Sequence, residues 1–161
     1  MTSLHKEAGF ESYLPMIREF ISNDTDAVVE AWQRASHLAH PFLTADFLAQ
    51  EAHNLRHIYV VHAQTWVAEV ENKVVGFIAL IDTDDVCEVG GLFLDPAYHK
   101  RGIGKALMDR AVAEKGPLKV EVFRDNAVGR PFYERYGFAM TGSYHHEPSG
   151  QMMVQMRYCP S

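Results

Sequence analysis

The sequence predicts a mixed α/β domain layered around one β-sheet, on three observations. Apolar runs of strand length alternate with stretches of helical periodicity from residue 17 to residue 158. No Pro/Gly/Ser-rich linker and no internal repeat divides them. The length, 161 residues with 47% hydrophobic and 22% charged side chains, is that of one globular domain with a core large enough to need no staples.

The elements follow in order. Residues 17–21 alternate apolar and polar, as a short strand does. Asn23, Asp24 and Thr25 offer caps for a helix over 25–36, with Ala27, Val28, Ala31 and Trp32 on one face. Pro41 interrupts, and Thr44 opens a second helical stretch toward His57. Residues 65–70 and 74–81 flank Glu71-Asn72-Lys73 and read as a hairpin. Residues 86–94 form a strand stopped by Asp95-Pro96, and Gly90-Gly91 suggest a bulge within it. Residues 102–115 place Ile103, Ala106, Leu107, Ala111 and Val112 on one helical face before Gly116-Pro117 ends them. A strand over 118–123 follows, then a helix over 127–136 closed by Gly137. A last hairpin runs over 138–145 and 152–158.

Composition narrows the function. Lys and Arg total 15 against 21 Asp and Glu, a formal charge of -6. That balance argues against a nucleic-acid partner and leans toward cationic small substrates. The longest apolar run, 74–81, is far short of the ~20 residues of a membrane helix. Cys87 and Cys159 form no CxxC pair and read as thiols without chemistry in a reducing compartment. With no apolar signal core, the expected location is cytoplasmic, with no membrane partner. Residues 2–10 resemble a cloning linker. Residues 1–15 are therefore set aside as an expected cloning-derived leader, ahead of a single domain over 16–161.

The most informative segment is the corner from Leu92 to Leu107, where a buried strand turns into an amphipathic helix. Gly102 and Gly104 stand at the helix start, where free N–H groups and a partial positive charge favour anions. Lys100, Arg101 and Lys105 add charge. The segment lacks Walker spacing, and Leu107 occupies the third small position of a dinucleotide fingerprint.

Residues 99–104 resemble the (Gln/Arg)-x-x-Gly-x-(Gly/Ala) acyl-CoA loop of the GNAT superfamily of N-acetyltransferases. His99 departs from that pattern, and Lys100 replaces a frequent glycine. About 22 residues on, Asn126 to Phe138 resembles the family's second motif, N-x₆-Y-x₃-GF. The resemblance implies the GNAT fold: a mostly antiparallel sheet splayed at its centre, with helices on both faces. It implies acetyl-CoA as co-substrate in a cleft between the 86–94 and 118–123 strands. The backbone of Leu92, Phe93 and Leu94 would pair with the pantetheine arm. His99, Lys100, Arg101, Gly102, Ile103, Gly104 and Lys105 would hold the pyrophosphate, and Asn126 would touch the arm or shape the cleft.

Acetyl transfer to an amine needs a neutral amine, a stabilised carbonyl oxygen and a protonated leaving thiol. Tyr133 falls where the family commonly carries its proton donor. Its bland alternative is core packing. Glu88 and Glu121 fall where different family branches carry a base; the alternatives are a solvent-facing or ion-paired carboxylate, or water as the base. Trp32, His40 and Phe42 lie in the segment expected to line the acceptor side, with Tyr144 opposite. His53 and His57 stand i,i+4 on the second helix but lack a third ligand at motif spacing, so no metal is expected. The expected activity is transfer of acetyl to a primary amine of a small molecule or peptide by direct attack. A catalytically degenerate acyl-CoA sensor is the alternative. The terminal hairpin offers an edge on which a homodimer could form.

Overall fold

The computed structural model describes residues 14–161, so the expected leader lies almost wholly outside the described residues. Strand β1 (Met16–Glu19) leads through a short 3₁₀ turn to helix α1 (Thr25–Ala39) and helix α2 (Ala45–Asn54). Strands β2 (Gln64–Val70), β3 (Lys73–Ile81) and β4 (Cys87–Leu94) follow, then helix α3 (Ile103–Lys115). Strand β5 (Leu118–Phe123), helix α4 (Gly129–Tyr136) and strands β6 (Ala139–His146) and β7 (Gln151–Tyr158) complete the chain.

The expected mixed fold, with a mostly antiparallel and centrally splayed sheet, is borne out. Among the described residues, seven strands lie in the order β1-β2-β3-β4-β5-β7-β6. Every neighbouring pair is antiparallel except β4 and β5. Those two pair in parallel only at Cys87↔Leu118, Glu88↔Lys119 and Val89↔Val120, then part. The local cause is the expected bulge. Ala79 pairs with Gly91 and Leu80 with Val89, so Gly90 is the extra residue that bends β4. Beyond Val89 the β5-facing edge of β4 has no strand partner among the described residues.

The two-residue strand period divides the core between two faces. Trp66, Ala68, Ile78 and Leu80 face α3, where Ile103, Leu107, Met108 and Ala111 meet them. Val67 and Phe77 point the other way, onto Val28, Val29 and Trp32 of α1 and Leu55 and Val60 beyond α2. Each fully buried branched or aromatic side chain of this kind contributes about 1.5–3 kcal/mol.

Two boundaries differ from the sequence reading for identifiable reasons. The β2–β3 turn is only Glu71 and Asn72, both at positive φ (51° and 65°), because Lys73 already pairs with Val70. The second helix runs past His57, through a π-turn over Leu55–Tyr59 and a last turn over Val60–His62. A π-turn adds a residue to one turn, so apolar periodicity read at 3.6 loses phase there.

One charge cluster ties β1 to the start of α1. Asp24 is buried and takes both terminal nitrogens of Arg18, at 2.8 and 3.0 Å, and the Ile21 N–H at 2.9 Å. Arg18 Nε also donates to Glu69 on β2 at 2.9 Å. The Arg18 hydrogen bond, foremost among the causes, holds the Asp24 carboxyl below its ordinary range. A folded-state value below the unfolded one gives stability that is present above about pH 3.9 and lost as pH falls further. We expect Asp24→Ala to cost about 2–3 kcal/mol in urea unfolding at pH 7, because it removes the acceptor of two guanidinium nitrogens and of the Ile21 N–H and leaves Arg18 only its Glu69 partner among the described carboxylates. The deficit should shrink below about pH 3.5, where the wild-type protein loses the same contribution.

Candidate active site

Where β4 and β5 part, a cavity of about 410 Å³ opens. Its walls are Glu88 to Phe93 on the β4 side and Val120 to Phe123 on the β5 side. α1 contributes Trp32, the chain just beyond α1 contributes His40, and α2 with its π-turn contributes Leu48, Glu51, Leu55 and Tyr59. Tyr133 of α4 and His146 at the end of β6 line it as well. Three carboxylates line it, and among the described residues lining it there is no Lys or Arg.

Tyr133 sits one turn into α4 and is buried, 6% exposed. Its ring packs edge-on against Phe132 and Phe138, at 5.6 and 5.3 Å between centroids. Burial pushes its phenol well above the ordinary value, so the hydroxyl stays protonated. Tyr136, one turn further along, donates instead to Asp109 at 2.7 Å and lies outside this cavity's lining.

The two glutamates differ in their surroundings. Glu88 is half-buried beside the bulge, with no ion pair among the described residues. Burial first, then the negative charge of Glu121, pushes its carboxyl above the usual carboxylate range, against a weaker pull from Lys119. Glu121 is exposed and already accepts the Tyr144 hydroxyl at 2.6 Å. Burial, that hydrogen bond and the nearby acidic charges raise the Tyr144 phenol to about 12.

The corner after β4 is open. Lys100 and Gly102 both adopt positive φ, 64° and 78°. A side chain on Gly102 would meet nothing within 4 Å among the described residues, so only its backbone conformation asks for glycine. The first α3 hydrogen bond runs from the Ala106 N–H to the Gly102 carbonyl at 3.0 Å. The amides of Ile103, Gly104 and Lys105 therefore precede the helical ladder, with no side-chain cap from Gly102. Gly104 has a different reason: a Cβ there would come within 3.2 Å of the Phe132 ring on α4. Arg101 lies over the Tyr98 ring at 5.2 Å, and Lys105 pairs with Asp109 at 2.7 Å. Such a corner, with bare amides, an open face and basic side chains, fits a diphosphate. His99 and Lys100 belong to it by position, at its outer turn.

The structure distributes the other expected site residues unevenly. Trp32 and His40 line the cavity. Phe42 lies one layer back, edge-on to His40 and Phe123 at 5.8 and 5.7 Å. Tyr144 reaches the site only through its bond to Glu121. Leu92 and Phe93 line the cavity, and Leu94 continues their unpaired edge toward the corner. Asn126 is buried; it lines the cavity and binds the amides that start α4. The rings of His53 and His57 lie 4.5 Å apart, and no group of three metal-ligating side chains occurs among the described residues. The sequence reading passed over Glu51 and Tyr59. Their signal was spacing: Leu48, Glu51, Leu55 and Tyr59 recur every three to four residues, so an acid shares the stripe that lines the cavity.

Known proteins share this architecture. The family model for the acetyltransferase (GNAT) domain matches residues 61–140. Among curated relatives, the peptidyl-lysine N-acetyltransferase YiaC of Escherichia coli (strain K12) is 32% identical over 123 residues, 76% of this chain and 82% of YiaC. Among solved structures, the solution structure of apo-form YjaB from Escherichia coli aligns with a TM-score of 0.78 at 24% identity, over 92% of this chain and 99% of that one. The PaiA N-acetyltransferase from Thermoplasma acidophilum, in complex with coenzyme A, aligns with a TM-score of 0.74 at 19% identity, over 90% and 99%. At those identities the two structures speak for the fold, while the family model and YiaC speak for kinship. The chain belongs to the GNAT family, and its enzyme class is that of an acetyl-CoA-dependent N-acetyltransferase.

Proposed function

We propose that this enzyme transfers acetyl from acetyl-CoA to the side-chain amine of a lysine in a protein or peptide, with Glu88 as general base and Tyr133 as general acid. The observation that carries this reading is the cavity at the β4–β5 splay. It is lined by Glu51, Glu88, Glu121 and a buried tyrosine, without a Lys or Arg among its described lining residues. Such a surface attracts an ammonium and then has the means to deprotonate it. The likeness to YiaC, named a peptidyl-lysine N-acetyltransferase, supports lysine over other amines.

In this reading the amides of Ile103, Gly104 and Lys105, with the basic side chains around them, hold the diphosphate. The unpaired edge of β4 aligns the pantetheine arm beside the bulge. Glu88, kept basic by burial and by Glu121, takes a proton from the incoming ammonium directly or through water. The neutral amine attacks the thioester carbonyl, the C–S bond breaks, and Tyr133 gives its hydroxyl proton to the departing sulfur; the second proton shed by the new amide nitrogen passes through water to the Tyr133 oxygen, and Glu88 releases its own proton to solvent. Glu121 is the weaker candidate for base because Tyr144 already occupies it.

Thiol release from acetyl-CoA over a panel of lysine peptides, free amino acids and small amines tests the proposal. Turnover is expected on lysine peptides. Tight acetyl-CoA binding with no release on any acceptor would make the chain a sensor, and release on hydroxyl acceptors alone would make it an O-acetyltransferase. The diphosphate corner has its own check. Gly102→Ala adds no clash, but it disfavours the left-handed turn by about 1–2 kcal/mol. The acetyl-CoA KM should rise roughly tenfold at near-constant kcat, because binding must restore that turn. An unchanged KM would remove the corner from the binding site.

A further inference from the structure

The segment from Trp32 to Leu43 lies far in sequence from the acid, yet through His40 it meets Asn126, three residues before the helix that carries the acid. His40 ends α1 and is 7% exposed. Its ring stands edge-on to Phe42, Phe93 and Phe123, at 5.8, 6.3 and 5.1 Å between centroids. Within that aromatic cage its Nε2 lies 3.2 Å from the Asn126 amide nitrogen, Nδ2.

The other end of Asn126 fixes which atom donates. Asn126 Oδ1 accepts the N–H of Val128 at 3.1 Å and of Gly129 at 2.7 Å. The amide oxygen is therefore committed to the start of α4, and the amide nitrogen must face His40. A nitrogen that donates requires an acceptor, so Nε2 carries no proton and the ring proton sits on Nδ1. A protonated His40 would set two donors against each other, and burial alone already lowers the ring's value to about 4. The same bond excludes His40 as the general base, since its lone pair is occupied. Gly129 is part of the arrangement: a Cβ there would fall 2.6 Å from Asn126 Nδ2. Tyr133 follows four residues later, one helical turn on.

We propose that His40, as the neutral Nδ1–H tautomer, is a positioning residue: through Asn126 it sets the start of α4, so that the Tyr133 hydroxyl is held at the reacting centre. The inference rests on Tyr133 being the acid and adds a second residue that acts only through it. It also couples the acceptor wall, to which His40 belongs, to the acid.

The test is a mutant cycle read by thiol release with a lysine peptide. His40→Leu keeps the volume but strands the Asn126 amide, and kcat should fall on the order of 10²-fold with the acetyl-CoA KM nearly unchanged. His40→Gln can place an amide oxygen near Nε2 and should recover to within roughly fivefold of wild type. In a Tyr133→Phe background, His40→Leu should cost less than about threefold more, because residues acting through one group are non-additive. Nitrogen NMR shifts of His40 in the unmutated protein at pH 7 supply a readout that needs no variant and should report Nδ1–H. Multiplicative losses, no rescue by glutamine, or an Nε2–H ring would each overturn the proposal. A Tyr133→Phe enzyme with full kcat would instead sink the acid assignment, and the route from His40 through α4 with it.

Discussion

Tyr133→Phe is expected to lower kcat by ~10²–10⁴ while leaving the acetyl-CoA KM close to that of wild type. The substitution removes one oxygen and keeps the ring, whose contacts with Phe132 and Phe138 hold it in place. Stability should therefore move by less than about 1 kcal/mol, so that lost turnover cannot be lost fold. The size of the effect follows from the leaving group. A free thiol has a reference value of about 8.5, and a buried phenol lies well above that. Proton transfer to a solvated thiolate would run uphill. A thiolate expelled into the same water-poor cleft is itself made more basic by desolvation. In the proposed mechanism, transfer would then take place as the C–S bond breaks, when the negative charge on sulfur is greatest and least solvated. The upward shift also means that Tyr133 keeps its proton through the working range. The wild-type kcat should show no alkaline limb below about pH 10 from this group. Steady-state thiol release from pH 6 to 10 measures both quantities; an unchanged kcat in Tyr133→Phe would remove the role.

How much of this was legible follows from where each signal resides. The β4–α3 corner could be read from the sequence because its chemistry is local. Gly102 must take a left-handed conformation, and the helix start that follows supplies amides wherever it folds. The bulge was legible in the same way, since Gly90-Gly91 announce a break in pairing within the strand itself. For Gly104 the sequence shows only a place at the helix start among the residues expected to hold the pyrophosphate, and the structure adds a packing reason that only the fold supplies: the Phe132 ring, 28 positions on. The acceptor side was less visible because non-local contacts build it. His40 meets Asn126 across 86 residues, and Glu51 reaches the cavity from a helix whose π-turn shifts the phase of its apolar face. Phe42 and His40 are near neighbours with the same aromatic character, yet one stands behind the other. No periodicity distinguishes them, because His40 and Phe42 flank Pro41 in irregular chain, where side-chain direction is set by what packs on it.

Glu88→Gln should separate activity from stability in opposite directions. Wild-type Glu88 is half-buried, repelled by Glu121, and has no ion pair among the described residues. Its folded-state value lies above the unfolded one, so its ionised form destabilises the fold above the unfolded value of about 4.3. That loss is recovered as pH falls and the carboxyl takes up its proton. At pH 7 the neutral, isosteric glutamine should therefore be at least as stable as wild type in urea unfolding. Activity should move the other way. A lysine amine with a value near 10.4 is neutral only about once in 10³ at pH 7, so a base has up to roughly 10³-fold to contribute. We expect kcat/KM to fall by about 10²–10³ at pH 7. The deficit should shrink by about tenfold per pH unit above that, as solvent deprotonates the amine unaided. In wild type the basic form of Glu88 is present above its raised value and is lost as pH falls through it. The acid limb of kcat/KM should thus lie above the ordinary carboxylate range and disappear in Glu88→Gln. A deficit that stays constant to pH 9.5 would mean that Glu88 only shapes the cleft. Should Glu121→Gln instead give the pH-dependent loss, the base lies on β5, and the Tyr144 hydroxyl that now occupies Glu121 must swing away before each turnover.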